Sequence, residues 1–259
     1  MPLFFCLSFS CLLSGVEQPP THPNVIFVLA DDLGIGDVSP TNTDCKIKTP
    51  HLQKMADEGI TFHDAHTSSS VCTPTRYGVL TGRYNWRSRL ARGVLSGNSN
   101  HLIPANRATV GHLLKRAGYH TQMIGKWHLG WDWDRSGEGW NNINFEKPVK
   151  NGPDINGFVN YYGHCGSLDM PPYVWVNTGK VTALPDREEG VSRKEDPYGW
   201  YREGPIGPDF KIDEVLPHLF EKSVAYVKER AKKKKPFFLY LPLPAPHTPI
   251  VPVPPYKDA

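Results

Sequence analysis

Residues 24–30, Asn-Val-Ile-Phe-Val-Leu-Ala, form a continuous β-rich apolar run that ends in Asp31-Asp32 and Gly34. A run without polar alternation predicts a strand buried on both faces, as in a parallel sheet. Thr49 before Pro50 then predicts a capped helix with Leu52, Met55 and Ala56 on one face, closed by Gly59. Residues 60–62 resume an extended pattern. The alternation recurs further along the chain. Thr109 caps a helix whose apolar positions are Val110, Leu113, Leu114 and Ala117, stopped by Gly118. A strand over 120–124 follows and runs into Gly125-Lys126-Trp127-His128. Near the end, Asp213 opens a helix bearing Val215, Leu219, Val224 and Val227, with Pro217 in its first turns. The lysines at 232–235 sit where positive charge favours a helix C-terminus and read as its solvated end. Pro236 leads into the apolar strand 237–241.

Repeated strand–helix–strand units predict an α/β fold with a doubly wound, mostly parallel sheet flanked by helices. Such sheets place ligand sites beyond the carboxyl ends of their strands. Asp31-Asp32, Lys126-Trp127-His128 and Pro246-His247 each follow an apolar run, so three strand ends are candidates to share one crevice. Residues 131–208 differ. They are rich in Gly, Pro, Trp and Tyr, lack helical periodicity, and predict loops and short strands forming a rim. Aromatic residues there read first as packing and second as platforms for a sugar or aryl group.

Composition narrows the class without naming a function. With 259 residues, 39% hydrophobic and 21% charged, the chain can bury a sizeable core. A formal charge of +3 is too small to argue for nucleic acid or an acidic membrane, so neither is expected as a partner. Residues 1–16 carry no charge and include a short apolar stretch, which predicts a signal peptide and export to a periplasmic, extracellular or lumenal compartment. The stretch is too short to span a bilayer, and it lacks the usual basic n-region. Residues 17–259 then read as the N-terminal part of a single domain. Without Cys6 and Cys11, three cysteines remain, Cys45, Cys72 and Cys165, and an odd count suggests one spared thiol. If Cys72 is spared, Cys45 and Cys165 are left to bridge, though spacing alone does not pair them.

Candidate chemistry centres on Cys72-Thr73-Pro74-Thr75-Arg76, a C-x-P-x-R motif that continues through Gly78-Val79-Leu80-Thr81-Gly82-Arg83. Arg76 lies four residues after Cys72, so a helix beginning at Pro74 turns it back towards that side chain. Taken singly, each signal has a plainer reading: a thiol before a helix, an Asp-Asp-Leu-Gly turn, a Lys-x-His of surface and core. In combination and in this order, residues 24–32, 72–83, 125–130 (Gly-Lys-Trp-His-Leu-Gly) and 246–249 (Pro-His-Thr-Pro) resemble type I, formylglycine-dependent sulfatases of the alkaline-phosphatase-like superfamily. The resemblance covers residues 24–256.

The resemblance implies an alkaline-phosphatase-like fold and hydrolysis of a sulfate ester to an alcohol and sulfate. It implies that a formylglycine-generating enzyme oxidises Cys72 to 3-oxoalanine before or during folding. Asp31 and Asp32, beside residue 72, would hold one divalent cation, Ca²⁺, through oxygen ligands. Arg76 would turn back towards the modified side chain, Lys126 would neutralise sulfate charge, His128 would take the proton that triggers sulfate release, and His247 would bind sulfate or assist the leaving oxygen. Residues 157–163 and 167–173 also look sulfatase-like and belong at the pocket rim without individual roles. The expected substrate is a sulfated small molecule or sulfated carbohydrate.

One part of the pattern is missing. Members of this family draw a further Asp and Asn for the metal, and another sulfate-binding Lys, from beyond the histidine loop. Residue 259 precedes any such segment, and Asp258 lacks the context expected of those ligands. A half-built metal site follows, with little activity and weak metal affinity expected for these 259 residues alone. Two alternatives remain: a phosphonate or phosphate ester hydrolase with the same nucleophile, or an inactive, truncated secreted binding module.

Overall fold

A computed structural model describes residues 22–254, 256 and 257; the predicted signal peptide and Asp258 lie outside the described residues. The strands are β1 (Val25–Asp31), β2 (His120–Lys126), β3 (Asn160–His164), β4 (Val176–Asn177), β5 (Lys180–Val181), β6 (Arg187–Val191), β7 (Tyr201–Ile206) and β8 (Phe237–Pro246). The helices are α1 (Pro50–Glu58), α2 (Cys72–Thr81), α3 (Val110–Arg116) and α4 (Val215–Arg230). Six strands form one sheet in the order β1-β8-β2-β3-β4-β5. Its first four are parallel, and the short β4 and β5 add antiparallel at one end. The expected α/β sheet flanked by helices is therefore present. β6 and β7 pair as a separate antiparallel ribbon.

Alternation along the strands divides the core into two layers. Phe238 and Tyr240 of β8 join Met123, Trp127, Phe158 and Tyr161 on one face. Phe237, Leu239 and Leu241 join Ile124, Trp175, Val215 and Leu219 on the other. This period of two is what a strand covered on both sides requires. α3 begins as its sequence predicts, with Thr109 Oγ1 accepting the His112 N–H at 3.3 Å. Gly118, at φ 91°, turns the chain into β2. Among the described residues, no helix is long and apolar enough to cross a membrane.

A glycine pair sets the sheet's tightest rung. Gly125 of β2 is in register with Gly163 of β3, one residue before Lys126 and His164. A Cβ on Gly163 would lie 1.9 Å from the Gly125 carbonyl oxygen, and one on Gly125 would lie 2.1 Å from that of Pro242. Gly125 also has φ 137°, which L side chains rarely adopt.

Several expectations need correction. β1 is not buried on both faces: among the described residues it pairs with β8 alone, at an edge of the sheet, and Ile26 and Val28 are about half exposed. α2 starts at Cys72 rather than Pro74, because proline is tolerated in a helix's first turn, where its missing N–H is not needed. Thr49 stands at the N-cap of α1 with Pro50 in the first turn, as expected, but its side chain makes no cap bond: Oγ1 accepts the Ser39 N–H at 2.9 Å instead. In α4 the buried face runs through Val215, Leu219 and Ser223, and Val224 is exposed. Residues 131–208 are more than a rim, since β3 is a full member of the central sheet. Trp131, Trp133, Tyr161, Tyr173 and Trp175 are all buried as packing. Cys45 and Cys165 are separate free thiols: Cys45 Sγ donates to the Ile47 carbonyl and Cys165 Sγ to that of Pro172.

Candidate active site

Three strand ends converge as the sequence predicts. β1 ends at Asp31, β2 at Lys126, and His247 follows β8 directly. Cys72 meets them from the first residue of α2, where unsatisfied backbone N–H groups give partial positive charge.

Charges bind the group together. Asp31, 4% exposed, forms a direct ion pair with Lys126 Nζ and lies 3.4 Å from Arg76 Nη2. Arg76 is four residues into α2, so helical periodicity carries its guanidinium back over the sheet. There Nη1 donates to the Lys126 carbonyl at 2.6 Å and Nη2 to the Leu243 carbonyl at 3.0 Å. One arginine therefore ties α2 to β2 and β8. Burial pushes the Asp31 carboxyl up, but Lys126 and Arg76 outweigh it and hold the pKa below the ordinary value. Lys126 is fully buried; burial and then repulsion from Arg76 lower its pKa, with Asp31 opposing.

The thiol side of the cluster is equally specific. Burial raises the Cys72 pKa, yet His247 and Lys126 bring it below the ordinary thiol value. The same contact with Cys72 raises His247 to about 9, against its own burial. His247 Nδ1 bonds the Thr248 carbonyl at 2.6 Å, and Nε2 lies 3.7 Å from Asp32 Oδ2. Asp32 has φ 62° and a half-exposed side chain, so it faces the open side. His128, at φ 51°, is fully buried, with Nε2 donating to the Leu95 carbonyl at 2.7 Å. Its Nδ1 is buried and unpartnered among the described residues. Burial and the nearby Lys126 charge hold it well below pKa 6.5, so it is neutral and Nδ1 carries a free lone pair.

Ser167 is the residue that sequence reasoning missed. Its Oγ accepts from Lys126 Nζ at 2.6 Å and lies 3.9 Å from Cys72 Sγ, placing it between charge and nucleophile rather than on the rim. A single serine in a loop carries no spacing signal. Only its place in the 167–173 segment hinted at a role.

Asp31, Asp32 and Cys72 line one cavity of about 210 Å³, together with Thr67, Ser69 and Ser70. The donors are hard oxygens, right in kind for Ca²⁺, but that ion takes six to eight of them. The described residues contain no group of three His, Cys, Asp or Glu able to hold a metal. The site is thus right in chemistry and short in number. Chemically, the cluster offers a buried nucleophile position ringed by Arg76, Lys126 and His247, which suits an anionic substrate, with a neutral histidine base close by.

Comparison with known proteins agrees with that geometry. The Sulfatase family model matches residues 23–259. An N-acetylgalactosamine-6-O-sulfatase of Bacteroides thetaiotaomicron is 30% identical over 278 residues, covering 92% of this chain and 50% of the relative. Arylsulfatase G of Mus musculus is 30% identical over 265 residues, covering 94% and 44%. A solved structure concerned with metabolism of multiple glycosaminoglycans by Bacteroides thetaiotaomicron superposes with a TM-score of 0.74 at 30% identity, covering 90% of this chain and 53% of that one. The chain spans about half the length of the curated relatives it matches.

Proposed function

Because the chain belongs to the sulfatase family, we propose that it carries the nucleophile and proton-transfer groups of a sulfate ester hydrolase, R-OSO₃⁻ giving R-OH and sulfate. The observation that carries this reading is Cys72 held among Lys126, Ser167 and His247 at the head of α2. In this family residue 72 is a formylglycine, whose hydrate supplies two hydroxyls on one carbon, one to attack sulfur and one to lose a proton as sulfate leaves. A divalent cation, Ca²⁺ by the oxygen character of its donors, would be held by Asp31 and Asp32 beside residue 72 and would polarise sulfate oxygens.

The chain's own residues supply the rest. Lys126 presents its ammonium to the sulfate oxygens, steadied by Asp31 and Ser167. Arg76 fixes the Lys126 backbone and adds positive charge behind it. His247, which directly follows β8 on the open side of the site beside Asp32, would donate to the leaving oxygen in its protonated form, so that R-OH departs uncharged. His128, whose Nδ1 is buried and without a partner among the described residues, would accept the proton released when sulfate is expelled. The substrate is a sulfated small molecule or carbohydrate, maturation requires a formylglycine-generating enzyme, and the site of action is an exported compartment.

The test is peptide mass spectrometry across residue 72 after co-expression with that enzyme, followed by turnover of an aryl sulfate and a matched aryl phosphonate. A loss of about 18 Da from the cysteine form is expected, with sulfate the better substrate and no turnover in Cys72→Ala. Preference for the phosphonate would reassign the substrate. An unmodified thiol that binds sulfate esters without turnover would make the protein an inactive binding module.

A further inference from the structure

At the other end of α2, four arginines surround a cavity of about 310 Å³: Arg83, Arg87, Arg89 and Arg107. No carboxylate lines it, and none of the four takes part in an ion pair among the described residues. Four like charges around one hollow repel one another unless an anion lies between them. Two of them are already positioned. Arg89 Nη2 donates to the Asn100 and His101 carbonyls, and Arg107 Nη2 donates to that of Thr81 at 3.2 Å. Arg107 Nε is buried and has no partner among the described residues. Each of these two guanidiniums is thus anchored by one nitrogen and keeps further N–H groups unused.

The loop carrying Arg83, Arg87 and Arg89 is itself pinned. Asn85, buried at its centre, donates through Nδ2 to the Leu90 and Ala91 carbonyls. On either side of it, Tyr84 and Trp86 stack with ring centroids 4.1 Å apart and an interplanar angle of 10°, and both are at least half exposed. The two rings do not line the cavity, but in the chain they lie between Arg83 and Arg87, so an exposed apolar platform neighbours the anion donors. Sugar rings bearing sulfate groups have both complements. α2 has ten residues, so Arg83 lies about 15 Å beyond Cys72, and the cavity is separate from the catalytic cluster.

We infer that this arginine cavity, with the Tyr84–Trp86 stack, is a second binding site that holds a sulfated stretch of a glycan away from the reacting ester. That the ligand is a sulfated glycan rests on the hydrolase reading above; the site's choice of an anion rests on its arginines alone.

The test is calorimetric titration of the intact protein, in a Cys72→Ala background to prevent turnover. The probes are a hexasaccharide carrying 6-sulfated galactosamine, its unsulfated counterpart, and sodium sulfate. The sulfated hexasaccharide should bind best. Arg87→Gln and Arg89→Gln should each weaken it about tenfold. Trp86→Ala should weaken the hexasaccharide but not sodium sulfate. The arginine variants should keep the wild-type circular dichroism spectrum and unfolding midpoint, which shows that they fold. Unchanged hexasaccharide affinity in the arginine variants would overturn the site. Equal affinity for the unsulfated sugar would overturn the anion preference, and sodium sulfate binding as tightly as the hexasaccharide would overturn the glycan. Arginine-dependent binding in a protein whose residue 72 stays an unmodified thiol after co-expression with the maturation enzyme would sink the hydrolase reading and leave the anion site standing.

Discussion

β1 and β8 are both continuous apolar runs in one parallel sheet, yet they meet opposite fates. β8 lies between β1 and β2, has α4 and Trp175 on one face and Phe158 and Met123 on the other, and buries every residue from Phe237 to Leu243. Among the described residues β1 has a neighbour on one side only, and Ile26, Phe27 and Val28 remain substantially exposed. The same holds for α1 and the segment after it, where Met55, Ile60 and Phe62 are each more than two-thirds exposed. An apolar run records the capacity to be buried; burial needs a second surface. The contrast also divides the site. Arg76, Lys126 and His128 stand on the packed side and are at most 1% exposed, whereas Asp32 and His247 face the open side.

This division can be broken by substitution, and the largest effect belongs in the packed block. Trp131→Ala should cost about 3–5 kcal/mol by denaturant unfolding, while Phe62→Ser should stay within about 0.5 kcal/mol. Equal costs would mean the two regions do not differ as described. Arg76→Met should cost about 3–5 kcal/mol even without substrate, because it strips one side of a buried charge cluster and leaves the Lys126 and Leu243 carbonyls without their donor. Asp32→Asn, on the open side, should be nearly silent in the same assay.

A pH measurement sharpens the contrast further. His164 packs edge-on against Trp175 and Phe210, and burial followed by the Lys126 charge lowers its pKa to about 3. Below 6.5 the unfolded chain protonates this histidine, while the folded chain resists until about 3. Its contribution is therefore complete above 6.5 and is lost as pH falls through that window. His164→Leu should flatten the acid limb of stability by up to about 1.4 kcal/mol per pH unit. An unchanged slope would show that His164 is not held neutral.

What the sequence disclosed follows the range of its interactions. α3 was legible because the Thr109 cap and Gly118 are local instructions that the structure obeys, whereas of its apolar positions Val110 and Leu114 pack against the core and Leu113 stays exposed. The convergence of Asp31, Lys126 and His247 was legible because a parallel sheet brings its carboxyl ends to one edge. β3 was hidden among aromatic residues with no clean alternation, since its identity as a strand comes from pairing with β2. Ser167 was hidden because its importance lies in one hydrogen bond to a residue 41 positions away. The exposure of β1 depends on which strand lies beside it, and no pattern within seven residues records that.

The glycine rung between β2 and β3 has a consequence for heredity. Most positions of the sheet hold a side chain that a relative of similar size can replace, so they can drift. Gly125 and Gly163 have no such latitude, because even one methyl group would collide with a carbonyl oxygen at about 2 Å. Single-base changes in either codon that alter the amino acid should be eliminated whatever residue they introduce. The backbone leading into Lys126 is thereby shielded from gradual change, and any lineage that keeps this fold inherits that lysine's approach to the site along with it.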